Sequence, residues 1–68
     1  MWITFKIAFN KESFLRKVNI EKMESIRIDT DEIYLFPQKI FEDDDTAYVI
    51  SKEANKGFEE IKQKLMEL

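Results

Sequence analysis

The 68-residue chain contains no cysteine and no histidine, and only one glycine and one proline. Without cysteine there is no disulfide framework and no thiol nucleophile. Without histidine there is no imidazole acid or base, and the usual zinc ligands are missing with both. Ser13, Ser25 and Ser51 have no histidine to activate them. A single glycine, Gly57, cannot build a phosphate-cradling loop. The scarcity of glycine and proline also speaks against a flexible linker or low-complexity tail. No apolar run approaches the roughly 18 to 20 residues of a membrane span, and the opening residues Met1 to Lys6 lack the basic and apolar regions of a signal peptide. These absences lead us to expect a cytoplasmic, non-enzymatic protein with no cofactor, no metal and no membrane contact.

What is present suits one small domain spanning residues 1–68. A chain of this length buries only about 60% of its unfolded surface. Six Phe, two Tyr and one Trp nevertheless supply enough bulk for a packed core. The richness in Lys, Glu, Ile, Phe and Asp would suit a low-GC bacterium or one of its phages.

The clearest pattern lies at the C-terminal end. From Asn55 to Leu68 the apolar residues Phe58, Ile61, Leu65 and Leu68 recur at three- and four-residue steps, with charged residues between them, which predicts an amphipathic helix with Asn55 as its N-cap. Upstream, Ile3, Phe5, Ile7 and Phe9 alternate with Trp2, Thr4, Lys6 and Ala8, the period of a half-buried strand. Asn10 to Ser13 reads as a turn into a second strand, Phe14 to Val18. Ile20, Met23 and Ile26 hold a helical spacing, consistent with one turn of helix capped by Asn19. Strands follow at Ile26 to Ile28, at Ile33 to Phe36 and at Thr46 to Ile50, with Gln38 to Phe41 as an extension past Pro37. The expected fold is α+β: a small curved antiparallel sheet of four to five strands covered by one C-terminal helix, with Phe58, Ile61 and Leu65 packing on Ile3, Phe5 and Ile7.

Two strands, Ile33-Tyr34-Leu35-Phe36 and Ala47-Tyr48-Val49-Ile50, are apolar on both faces. One helix covers only one face of a sheet. Either the sheet curls to bury its own inner face, or an apolar patch remains for a second copy or another protein, with Tyr34, Phe36, Tyr48 and Ile50 as contacts. Trp2 stands on the opposite side of its strand from Ile3 and Phe5, where it either closes a second core face or anchors a partner.

The acidic residues are concentrated. Residues 1–41 carry seven basic and six acidic groups, residues 46–68 carry four of each, and Glu42, Asp43, Asp44 and Asp45 account for the rest of the net charge of −3. Neither Asp29 to Glu32 nor Asp43 to Asp45 is an EF-hand, because counting from Asp29 puts Ile33 at position 5 and Ile40 at position 12, and counting from Asp43 puts Ala47 at position 5. No basic stripe or RNA-binding aromatic signature supports direct nucleic-acid binding. The tract Glu42 to Asp45 fits an exposed hairpin tip that either serves solubility or meets a basic protein surface.

The run Ile3-Thr4, Phe9-Asn10, Phe14, Ile26, Asp29-Thr30, Ile33-Tyr34-Leu35, Ala47 to Glu53 and Glu59-Glu60-Ile61 resembles the small flagellar-operon FlbD family over most of the chain. The chain differs in lacking turn glycines and in carrying the segment from Pro37 to Asp45. A bacterial pleckstrin-homology-like sheet capped by a C-terminal helix is similar as well. Both resemblances imply a regulatory or scaffold role with no catalytic residue to carry over. The leading expectation is therefore a small non-enzymatic protein-interaction or regulatory module, able to form a homodimer. The alternative is a phage or mobile-element inhibitor, anti-CRISPR-like, whose acidic loop occupies a basic nucleic-acid-binding groove on its target protein.

Overall fold

A computed structural model describes residues 1–9, 12–38 and 47–68. Strand β1, Trp2–Phe9, pairs antiparallel with β2, Glu12–Asn19, from Trp2 opposite Asn19 to Phe9 opposite Glu12. The alternation in β1 works as the sequence suggests: Ile3 and Phe5 are buried while Trp2, Thr4 and Lys6 face outward. In β2 only Val18 is buried, and Phe14 and Leu15 are exposed on opposite faces, because the far half of the hairpin extends beyond the core.

A 3-10 turn at Ile20–Lys22 leads out of β2. Asn19 caps it by accepting a hydrogen bond from the Glu21 amide at 3.1 Å, and Ile20 inserts into the core while its amide donates to the Met1 carbonyl at 2.8 Å. Strands β3, Met23–Ile28, and β4, Glu32–Pro37, form a second antiparallel pair, irregular between Met23 and Ser25. The polar turn between them is closed by the Asp29 amide donating to the Glu32 carbonyl at 2.8 Å, and by Arg27 reaching Asp29 Oδ1 at 3.3 Å. Strand β5, Tyr48–Ser51, adds to the other edge of β4, opposite residues Glu32 to Leu35. The expected strand extension past Pro37 runs into residues 39–46, outside the described residues, as does Thr46.

The strands form two sheets rather than one curved sheet: β1-β2 and β3-β4-β5. Among the described residues no backbone ladder joins β1 to β5. At that seam Asn55 supplies the polar partners instead. Its Oδ1 accepts from the Lys6 amide at 2.7 Å, and its Nδ2 donates to the Lys6 carbonyl and the Ser51 carbonyl, each at 3.0 Å. A carboxamide carries the same donor and acceptor as a peptide group, so it can stand in for a neighbouring strand at one residue.

The helix α1, Phe58–Met66, begins three residues after the expected cap. Asn55 does not cap it with its side chain, which is committed to the seam. Gly57 occupies the N-cap position without a side-chain bond, and the Phe58 amide donates to the Asn55 carbonyl at 3.1 Å. Phe58 and Leu65 are buried and Ile61 is half-buried, whereas Leu68 lies past the helix end and is exposed. Ile3, Phe5, Val18, Ile20, Ile33, Leu35, Ile50, Phe58 and Leu65 make one core, with Ile7 and Ile61 packed against it. Both sheets and the helix thus share a single apolar interior.

Candidate functional site

Directly paired residues in an antiparallel sheet share a face. In the three-stranded sheet Ile33 and Leu35 of β4 point into the core and are fully buried, so Tyr34 and Phe36 point the other way. Tyr34 lies between Arg27 on β3 and Val49 on β5, and Phe36 pairs with Ser25. The Tyr34 and Phe36 rings stack, with centroids 6.5 Å apart and planes 20° from parallel, and the Arg27 guanidinium sits 5.5 Å from the Tyr34 ring centre. The Tyr34 hydroxyl donates to Glu32 Oε1 at 3.0 Å. That bond, some desolvation and the negative charges of Glu32 and Asp29 raise the phenol above its ordinary pKa, with Arg27 opposing them. Phe36 remains 38% exposed, while Tyr34 and Val49 on the same face are half-buried.

Two residues expected to belong to this patch lie on the other side of the sheet. Tyr48 pairs with Leu35 and turns toward the core, where its ring meets Phe5 edge-on at 6.4 Å. Its hydroxyl accepts from Arg16 Nη2 at 3.3 Å, and the Arg16 guanidinium lies 5.1 Å from its ring centre. Ile50 is fully buried. Tyr48 is therefore a half-buried cover at the end of the core rather than a neighbour of Tyr34 and Phe36. Val49 takes its place on the outer face. Four apolar residues in succession, Ala47 to Ile50, hide which parity faces out, and the only sequence signal for Val49 was its odd step from the strand's aromatic.

Trp2 does not close a second core face. It is 60% exposed on the outer face of the hairpin, with Lys17 Nζ 5.6 Å from its ring centre. It belongs to a different sheet from Tyr34 and Phe36. Glu42, Asp43, Asp44 and Asp45 lie outside the described residues. Among the described residues no three carboxylates gather into a group that could hold a metal ion, and no helix is long and apolar enough to cross a membrane. No family model, curated protein or solved structure matches this chain.

Proposed function

We propose that the chain is a small non-enzymatic protein-interaction or regulatory module working in the cytoplasm, and that the outer face of β3-β4-β5 is its contact surface. The observation that supports this reading most is the uncovered Tyr34–Phe36 stack beside Arg27 and Val49. Aromatic and arginine side chains are enriched at interfaces, the aromatic rings because they bury much area at little entropic cost, and a stacked pair loses little further freedom on docking. A regulatory role in a flagellar operon, as the FlbD resemblance implies, falls within this reading.

The first partner to test is a second copy, since a two-fold axis would set one aromatic pair against the other. Sedimentation of the wild-type protein should show association that grows with concentration, and Phe36→Ser should abolish it without lowering the melting temperature. Association that survives Phe36→Ser would move the contact to another face. A wild-type monomer at high concentration would leave the face to a different protein.

A further inference from the structure

We propose that the groove between the outer face of the hairpin and α1 binds an acidic polypeptide segment carrying a bulky apolar side chain. This goes beyond the contact surface proposed above, which lies on the other sheet. The groove is an open recess of about 380 Å³, walled by Leu15 and Lys6 on one side and by Lys56, Glu60, Ile61 and Lys64 on the other. Its helix wall follows from spacing alone, because residues 57, 60, 61 and 64 fall on one side of α1.

Charge decides the occupant. Three lysines face a single glutamate here, although the whole chain carries a net charge of −3. Among the described residues the ion pairs join Lys52 to Glu59, Arg27 to Asp29 and the N-terminal amine to Glu21, and none of these pairs involves a groove lysine. Lys17, on the same face of the hairpin as Lys6, extends the positive surface toward Trp2. A positive recess in a negative protein selects carboxylates by complementary potential.

Apolar walls separate a peptide from a nucleic acid. Leu15 is 71% exposed at the rim and Ile61 is half-buried in the wall, which together offer a seat for an aliphatic or aromatic side chain. Among the described residues no exposed aromatic ring lines the groove to stack a base, since Phe5 beneath it is 2% exposed. The chain's net negative charge also opposes a long polyanion.

The test uses the full chain and a capped ten-residue peptide with four carboxylates around one phenylalanine, titrated by fluorescence anisotropy at low and high salt. Binding should weaken with salt and fall at least about tenfold in the double variant Lys56→Glu/Lys64→Glu. Lys22→Glu, a charge reversal at a lysine outside the groove, should leave it unchanged. Leu15→Ser, at a site too exposed to endanger the fold, should weaken it several-fold, as should replacing the peptide's phenylalanine by serine. Three results would overturn the proposal: an amide version of the peptide binding equally well, oligo-dT binding more tightly than the peptide, or binding that ignores both groove variants.

Discussion

Asn55 is the residue on which the two sheets converge. Only 6% exposed, it binds the Lys6 amide and carbonyl, 49 positions upstream, and the Ser51 carbonyl close by. Asn55→Ala should cost about 1 to 3 kcal/mol in urea melts, because it leaves these backbone groups without partners in a partly buried place. Asn55→Asp should cost at least as much, since it keeps the acceptor for the Lys6 amide but turns a carboxylate toward two carbonyl oxygens. A change below about 0.5 kcal/mol for both would mean that water replaces the side chain without loss. The sequence marks Asn55 as a helix cap. Its amide suits either task, and only the distant approach of Lys6 selects the bridging one.

At the level of elements, α1 is held by unequal contacts. Phe58 and Leu65 are buried whereas Ile61 is half-buried beside the groove. Phe58→Ala should therefore cost about 3 to 5 kcal/mol and Leu65→Ala about 2 to 5 kcal/mol, with Ile61→Ala clearly below both. Urea denaturation of the three variants checks the order, and a largest loss at Ile61 would mean that the helix docks on another side. Elements with one unambiguous period were legible in the sequence: β1 by its alternation and α1 by its stripe. Those with competing readings were not. The 3-10 turn behind Asn19 was an open reading, because the helical spacing of Ile20, Met23 and Ile26 runs on into residues that form β3. In β2 the alternation of Phe14, Arg16 and Val18 suggests a buried face, but the hairpin outruns the core and only Val18 is covered. In β5 the pairing of Tyr48 with Leu35 sets the parity, and pairing is a fact about another strand.

For the whole molecule, an α+β fold with the helix at the C-terminal end was legible, and the division into two sheets was not, because strand patterns do not say which neighbours exchange backbone bonds. The local acidity of residues 42–45 remains the basis for the alternative role as an inhibitor of a protein with a basic groove. Replacing Glu42, Asp43, Asp44 and Asp45 by their amides keeps shape and removes repulsion, so the melting temperature should stay or rise. If the tract docks on such a partner, association measured by stopped flow should slow at low salt, and unchanged rates would return the tract to solubility alone. The seam between β1 and β5 has its own outcome in time. A continuous ladder would make both sheets yield together, whereas among the described residues the Asn55 carboxamide, the Arg16–Tyr48 contact and the shared core hold them, so the halves can part while each keeps its internal pairing. The Lys6 amide proton, locked to Asn55 rather than to a strand, is then freed by that parting alone. Its replacement by deuterium clocks how often the protein breathes, faster than the amides of β4 that wait for complete unravelling.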